Sequence, residues 1–219
     1  MIYATKDLGS VLGDQFDVRA GRGISAGGLV LAGGRGTRLG GRDKAGLTAA
    51  DGRRLVDRAV AMLEPVCSRG VTVLRGPLEH LPGLNVNQVA DPGLGPVGAL
   101  GIGIESAITG GQHSVLVLAV DVVEPCIALL QRFAAMLVED DHDVVLPIVD
   151  GHLQPLHAAW STKAATVLAE AVDEGVLRLH DVLERLDVCV VERDDWADLD
   201  PDARFVRDVD VPADLALLR

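Results

Sequence analysis

Short, uninterrupted apolar runs are the clearest pattern along the chain. They cover residues 29–32, 71–74, 115–120 and 144–149, with polar or glycine-rich sequence between them. Strands that are buried on both faces have this pattern, because neither face presents polar side chains to water. The runs therefore predict a parallel sheet with both faces covered.

Between these runs, apolar residues recur with the period of an amphipathic helix. The first such stretch follows an Asp-Gly turn and places on one face Leu55, Ala59, Met62, Leu63 and Val66. Further helices are expected at 97–109, 126–139, 161–174, 178–186 and 213–218. Strands that alternate with helices predict an α/β fold, a mostly parallel twisted sheet with helices on both faces.

The domain organisation follows from length and pattern. A chain of 219 residues, 48% of them hydrophobic, can build one sizeable core, so a single domain is expected. Residues 1–25 show no periodicity, and we expect them to form an N-terminal extension that can be disordered. The domain itself is assigned to residues 26–219.

The composition narrows the range of partners. Aromatic residues make up 3% of the chain and the net charge is −12, which disfavours a nucleic-acid surface. No apolar stretch reaches the roughly 18 residues of a membrane span, and the first residues lack a signal-peptide core. The three cysteines are odd in number and form no CxxC motif, as in a reducing compartment. We therefore expect a cytoplasmic protein that binds neither nucleic acid nor membranes.

A glycine-rich, basic segment follows the first predicted strand. Residues 31–47 read Leu-Ala-Gly-Gly-Arg-Gly-Thr-Arg-Leu-Gly-Gly-Arg-Asp-Lys-Ala-Gly-Leu. Ligands of open α/β sheets bind beyond the carboxyl ends of the strands, and glycines let backbone N–H groups approach phosphate oxygens. The segment therefore predicts an anion site, although a mobile connection with solvated arginines is the alternative. It is not a Walker A loop, because no Gly-Lys-Ser or Gly-Lys-Thr follows the glycines.

This segment resembles the nucleotidyltransferases that make the guanine or cytosine dinucleotide forms of the molybdenum cofactor, the molybdenum cofactor guanylyltransferase (MobA-like) family. Their loop runs Leu-Ala-Gly-Gly, x-Gly-x-Arg, Met-Gly and then Asp-Lys, and here Leu39 replaces the methionine. Sugar-nucleotide pyrophosphorylases begin similarly but reach their lysine only after a longer, proline-containing stretch. The resemblance implies that Arg38 and Lys44 neutralise the phosphates of the nucleotide. It also implies a nucleotide site formed by Leu31, Ala32, Gly33, Gly34 and Gly36 together with Lys44.

Asp121 is the first candidate metal ligand. It ends the apolar run 115–120 and so lies on the same edge of the sheet as the glycine-rich segment. Relatives in the resembled family have Pro-Cys-Asp-x-Pro or similar here, whereas this chain has Ala-Val-Asp-Val-Val. A carboxylate oxygen suits Mg²⁺, which spreads charge during nucleotidyl transfer. The resemblance implies that Asp121 holds Mg²⁺ and contacts the nucleotide, while the alternative is a cap for the helix that begins near Pro125.

Two further carboxylates lie near the C-terminus. Residues 205–215 resemble the Asn-Val-Asn-Thr-Pro-Glu-Asp-Leu segment of the same family, or its Asp-x-Asp variants. Asp208 or Asp210 could complete a metal site with Asp121 if this segment lies beside the strand at 115–120. Pro212 is typical of an early helical position, so a capping role for Asp210 is the alternative.

The stretch from Asp91 to Leu100 allows two interpretations. Gly93 to Gly98 match the GxGxxG of dinucleotide-binding folds, but Pro96 lacks an N–H and the strand before it is polar. The same stretch resembles the Asp and Gly-Pro-Leu-Ala-Gly-Ile of the transferase family. By that resemblance Asp91 contacts the nucleotide, whereas an Asp-Pro turn is the alternative.

The sequence indicates the preferred base and the acceptor contacts less clearly than it indicates the phosphate site. Family members often carry an asparagine after the second strand that helps hold guanine, and residues 73–77 contain none. Residues 154–160 resemble the strand that faces the acceptor pterin, so His157 is either an acceptor contact or a structural histidine.

The resemblance implies a Rossmann-like nucleotide-diphospho-sugar transferase fold and a Mg²⁺-dependent enzyme. Such an enzyme transfers GMP from GTP to the phosphate of molybdopterin or molybdenum-molybdopterin and releases pyrophosphate. Molybdoenzymes or their chaperones are further candidate partners. The alternatives are a cytidylyltransferase or other small-phosphate nucleotidyltransferase of the same fold, a non-catalytic nucleotide-binding protein, and an NAD-binding Rossmann protein.

Overall fold

The computed structural model describes residues 25–33, 40–41, 43–76, 81–108 and 112–218. Strands and α-helices follow one another as β1 (Ala26–Ala32), α1 (Leu55–Leu63), β2 (Val71–Arg75), β3 (Asn87–Ala90), α2 (Gly95–Ala107), β4 (Ser114–Ala119), α3 (Ile127–Glu139), β5 (Val144–Val149), β6 (His152–Leu153), β7 (His157–Ser161), α4 (Ala164–Asp173), α5 (Leu179–Leu183) and β8 (Val188–Val191). Single 3₁₀ turns cover Arg193–Asp195 and Arg204–Val206, and a longer 3₁₀ segment covers Pro212–Leu218.

The strands form one sheet in the order β3-β2-β1-β4-β7-β5-β6, and β8 pairs with β5. The first four of these strands are parallel to one another. β7 runs antiparallel to both β4 and β5, so β5 and β8 point the same way as β4. Because parallel strands end at the same edge, the loops after β1, β2, β3 and β4 all open onto one side of the molecule.

Helices cover both faces of this sheet, as the apolar runs predict. Along β1, Val30 points into a core shared with α1 and α3, and its neighbour Leu29 points into a second core shared with α2 and α4. Both side chains are fully buried. A β-carbon on Gly103 of α2 would overlap the end of the Leu29 side chain, so glycine at that position lets the helix lie close to the sheet. β1 is thus a central strand that is buried on both faces.

The expected α/β fold with a mostly parallel sheet is confirmed, and the differences are local. The stretch expected as a helix at 213–218 is a 3₁₀ segment, and α5 is shorter than the stretch 178–186. Apart from Ser25, the expected extension at 1–25 lies outside the described residues. Among the described helices, none combines the length and the apolar character needed to cross a membrane.

Candidate active site

A pocket of about 440 Å³ opens at the carboxyl ends of β1, β2 and β4. Its apolar end is formed by Leu31, Leu74, Pro96 and Ala99. Its charged end is formed by Lys44, Asp121 and Asp210. Leu74 at the end of β2 and Asp121 after β4 are separated by about two strand spacings, roughly 10 Å, because β1 lies between β2 and β4. The pocket therefore offers an elongated ligand an apolar seat at one end and charges at the other.

A short backbone pairing builds the charged end. The N–H of Val123 donates to the carbonyl of Arg207 at 2.9 Å, and the N–H of Val209 donates to the carbonyl of Asp121 at 3.1 Å. Val122 and Asp208 face each other in this antiparallel bridge. The C-terminal segment thus lies directly beside the end of β4, which is the arrangement that a joint metal site requires.

The acidic cluster consists of Asp121, Asp208 and Asp210. One carboxylate oxygen from each residue lies within 4.8 Å of the other two. Both C-terminal aspartates are therefore close to Asp121. The sequence had left open which of the two would complete a metal site. The residue before α3 is Cys126, so Asp121 does not serve as the cap of that helix. Asp214 accepts the N–H groups of Asp210 and Val211 at 2.9 and 2.8 Å, so it is Asp214 that caps the C-terminal segment.

An aromatic contact anchors this C-terminal segment. The ring of Phe205 is fully buried and packs edge-on against Trp196, with centroids 5.3 Å apart. On its other side lies His157, at 5.0 Å. The buried carboxylate of Asp200 accepts the N–H of Phe205 at 2.9 Å. These contacts fix the position from which Asp208 and Asp210 extend.

His157 is a structural histidine. It is 3% exposed, and its Nε2 lies 3.3 Å from the carbonyl oxygen of Cys126. Burial lowers the pKa of His157 to about 4, so the ring is neutral at physiological pH. The neighbouring Leu156 lines the pocket instead, so the structure supports the structural interpretation over acceptor contact.

Lys44 lies between two carboxylates of the acidic cluster. Its Nζ donates to Asp121 Oδ2 at 2.6 Å and to Asp210 Oδ1 at 2.5 Å. Burial alone would lower the pKa of Lys44, but the hydrogen bonds and negative charges of the two aspartates outweigh it and raise the pKa. Because this pKa is raised, the ammonium group stays charged. The side chain is 19% exposed, so it is largely shielded from water.

The cluster fits a divalent cation in its donor chemistry. Its three carboxylates supply oxygen ligands, which Mg²⁺ prefers, and Lys44 contributes only one compensating positive charge. Partial burial, followed by the charges of Asp210 and Asp121, raises the pKa of Asp208. The smaller, charge-dependent part of that shift is one that a further cation beside the cluster would oppose.

Asp91 has two distinct roles at the end of β3. Its Oδ1 accepts the N–H of Gly93 at 2.8 Å, which is the expected Asp-Pro turn. Its Oδ2 lies so close to the place of a β-carbon on Gly33 that any larger residue at 33 would have to displace the carboxylate. Both residues line the pocket, so the turn also brings a carboxylate to the ligand.

The GxGxxG match contributes to this same pocket. β3 lies at the edge of the sheet, whereas the first strand of a dinucleotide-binding fold is central. Gly95 and Pro96 form the first turn of α2 and line the pocket. The stretch is therefore part of one site, as the transferase resemblance implies.

Most of the expected site residues that the structure describes line the pocket, namely Leu31, Gly33, Lys44, Asp91, Asp121 and Asp210. Ala32 points instead into the core shared with α1, and Asp208 stands beside Asp210 in the acidic cluster. Arg38, Gly34 and Gly36 lie outside the described residues, so their roles stay predictions. Leu74, Ala99 and Leu156 also line the pocket but were not predicted as site residues, because apolar lining residues resemble core residues in sequence.

Comparison with known proteins shows which family this chain resembles. The family described as MobA-like NTP transferase domain matches residues 28–192. A protein of Mycobacterium tuberculosis named probable molybdenum cofactor guanylyltransferase is 36% identical over 163 residues, covering 73% of this chain and 80% of the relative. A protein of the same name from Chloroflexus aggregans is 31% identical over 198 residues, covering 88% of this chain and 92% of the relative.

The fold has counterparts among solved structures. Molybdopterin-guanine dinucleotide biosynthesis protein A from Archaeoglobus fulgidus superposes with a TM-score of 0.72 at 20% identity. The match covers 87% of this chain and 95% of that structure. At this identity the likeness concerns the fold alone, and it includes the sheet that carries the pocket.

Proposed function

The chain belongs to the MobA-like NTP transferase domain family, and on that premise we propose that it transfers GMP from GTP to the phosphate of molybdopterin or molybdenum-molybdopterin. The names of the relatives from Mycobacterium tuberculosis and Chloroflexus aggregans support this substrate pair. The expected setting is molybdenum cofactor biosynthesis in the cytoplasm.

The observation that carries the proposal is the placement of the acidic cluster and Lys44 at one end of a pocket whose other end is apolar. A nucleoside triphosphate has the same polarity, with a flat, largely apolar base at one end and phosphates at the other. The base and ribose would occupy the apolar end beside Asp91, and the phosphates would lie at the charged end.

Asp121, Asp208 and Asp210 would hold Mg²⁺. The ion would supply positive charge to the phosphate oxygens, where negative charge develops during transfer. The oxygen-only donor set of the cluster supports this choice of metal over a soft one.

The chain's own residues would act by positioning and charge neutralisation. An acceptor phosphate oxygen forms a bond to the α-phosphorus of GTP, the bond from that phosphorus to the bridging oxygen breaks, and pyrophosphate leaves with the electron pair. No covalent enzyme intermediate is required. Lys44 and Arg38 would neutralise phosphate oxygens, Gly33 would present backbone to the nucleotide, and Asp91 would hold the nucleoside in line.

The test is pyrophosphate release from GTP in the presence of purified molybdopterin, with CTP, ATP and buffer as comparisons. Asp121→Asn should lower the turnover rate on the order of 10²-fold or more, as removal of an oxyanion-type stabiliser does. The matched control is Asp141→Asn, which breaks an exposed lysine–aspartate pair of similar length, 2.6 Å, and should leave the rate unchanged.

Each alternative predicts a different outcome of that test. Release from CTP but not GTP would identify a cytidylyltransferase. Nucleotide binding without pyrophosphate release for any acceptor would identify a binding protein, and near-normal turnover in Asp121→Asn would contradict the metal site. Molybdoenzymes or their chaperones remain proposed recipients of the product.

A further inference from the structure

Lys44 is bonded to two of the three carboxylates that a metal ion at the acidic cluster would use. Its Nζ lies 2.6 Å from Asp121 Oδ2 and 2.5 Å from Asp210 Oδ1. The contacts are bonds to two separate carboxylates that lie far apart in the sequence, Asp121 after β4 and Asp210 near the C-terminus. The ammonium group therefore bridges them in the way that a bound cation would.

From this geometry we infer that Lys44 is an internal cation that blocks the metal site until the phosphates of a nucleotide draw it away. The inference rests on the proposed function, because it assigns to Lys44 a second position in the same reaction. In the free protein Lys44 holds the acidic cluster together, and in the nucleotide complex it pairs with phosphate and leaves the carboxylates to the metal.

Simultaneous occupation is unfavourable on electrostatic grounds. Mg²⁺ binds oxygen at about 2.0–2.1 Å, so an ion held by both oxygens would lie within about 5 Å of the ammonium nitrogen. A divalent and a monovalent cation at that distance repel each other strongly in a partly buried site. The ion and the ammonium group therefore compete for Asp121 and Asp210.

The local backbone permits the exchange. Lys44 lies in a turn that is closed by the N–H of Leu47 donating to its carbonyl at 3.1 Å and by Asp43 Oδ1 accepting the N–H of Ala45 at 3.0 Å. These bonds fix the main chain and leave the four-carbon side chain to rotate. Because the pocket extends from this position toward Gly33, phosphate oxygens bound there would lie within reach of Nζ.

The consequence is an order of binding. A metal ion alone meets a site that already contains a positive charge, whereas a nucleotide removes that charge as its phosphates bind Lys44. Nucleotide and metal then favour each other's binding, and linkage requires this effect to be reciprocal. The acidic cluster would thus not fill with metal in the absence of substrate.

The deciding experiment measures Mn²⁺ binding to the nucleotide-free protein by electron paramagnetic resonance of the free ion. Lys44→Met removes the charge while keeping a side chain of similar length, and it should lower the Mn²⁺ dissociation constant at least about tenfold. Lys44→Arg keeps the charge and should bind Mn²⁺ as weakly as the wild type. An unchanged or weaker affinity in Lys44→Met would overturn the inference.

Two controls locate the effect. Lys163→Met breaks the exposed ion pair with Asp141, also 2.6 Å long, and should not change Mn²⁺ affinity. Adding Asp121→Asn to Lys44→Met should abolish the gain, because the tighter site must include that carboxylate. Thermal unfolding checks that each variant folds. If Lys44→Met does not fold, Lys44→Gln takes its place, because glutamine keeps a hydrogen-bond donor without the charge.

The outcomes also separate this inference from the proposed function. If Lys44→Met binds Mn²⁺ more tightly but the wild type neither binds GTP nor releases pyrophosphate, the blocking role stands and the guanylyltransferase proposal fails. If the wild type turns over GTP while Lys44→Met gains no Mn²⁺ affinity, the function stands and the blocking role is wrong.

Discussion

The carboxylate of Asp91 lies so close to Gly33 that a β-carbon at position 33 would overlap it. The two residues end β3 and begin the loop after β1, and β2 lies between these strands. Each therefore restricts the other across the pocket: Asp91 keeps position 33 free of a side chain, and Gly33 gives the carboxylate its place.

Gly33→Ala should displace the Asp91 carboxylate and weaken GTP binding about tenfold or more, because the added methyl group and the carboxylate cannot share the space. Isothermal titration with GTP measures the change. The matched control is Gly76→Ala at the end of β2, where an added β-carbon meets no atom within 4 Å. Equal GTP affinities in the two variants would contradict the assignment of Asp91 to the nucleotide.

Asp208→Asn tests whether Asp208 is a metal ligand in its own right, apart from Asp210. Asp208 belongs to the acidic cluster, but the ion pairs of Lys44 go to Asp121 and Asp210. The variant should therefore weaken Mn²⁺ binding in the presence of GTP by several-fold while leaving the Lys44 contacts in place. Asp202→Asn, whose exposed carboxylate pairs with Arg204, should not change Mn²⁺ affinity. If Asp208→Asn binds Mn²⁺ like the wild type, the metal ligands are Asp121 and Asp210.

Phe205→Ala should lower the free energy of unfolding by about 3–5 kcal/mol, since it removes a fully buried aromatic ring. Urea unfolding followed by tryptophan fluorescence measures the loss, because Trp196 packs edge-on against the ring. The folded fraction of the variant should also bind Mn²⁺ more weakly. Unchanged metal affinity would show that the segment carrying Asp208 and Asp210 is held by other contacts.

Stability should fall as the pH is lowered because of His157. Its pKa is lowered by burial from an ordinary 6.5 to about 4, so below pH 6.5 the unfolded chain takes up a proton that the folded protein does not. Between these two values the free energy of unfolding should decrease by about 3 kcal/mol. Urea unfolding at several pH values tests this, with His157→Leu as the comparison. A pH dependence equally steep in that variant would assign the loss to other groups.

The strands of the sheet were predictable because a buried strand has a direct signature in sequence. Every residue from 29 to 32 is apolar, and each is packed on one face of β1 or the other. The direction of a strand relative to its neighbours has no such signature in sequence. The antiparallel β7 (His157–Ser161) could therefore not be distinguished from a parallel strand. The C-terminal 3₁₀ segment Pro212–Leu218 was mistaken for an α-helix because both place apolar residues three or four positions apart.

The residues of the site could be predicted from the sequence, but the contacts between them could not. Asp121 was named from its place at the end of an apolar run, and Lys44 and Asp91 were named from segments that resemble the transferase family. That Lys44 reaches Asp121 and Asp210 depends on the antiparallel bridge between Val122 and Asp208. The bridge joins positions far apart in the chain, and nothing in either segment specifies its partner.

Because of that bridge, the acidic cluster can form only late in the synthesis of the chain. Asp208 and Asp210 follow all the described strands of the sheet in sequence, so a chain growing on the ribosome exposes Lys44 and Asp121 long before them. Because domains tend to fold from the N-terminus during synthesis, the sheet and the apolar end of the pocket can form while two of the three carboxylates are still missing. Newly made protein would therefore acquire its catalytic chemistry last, and chains cut short near the end would be inert.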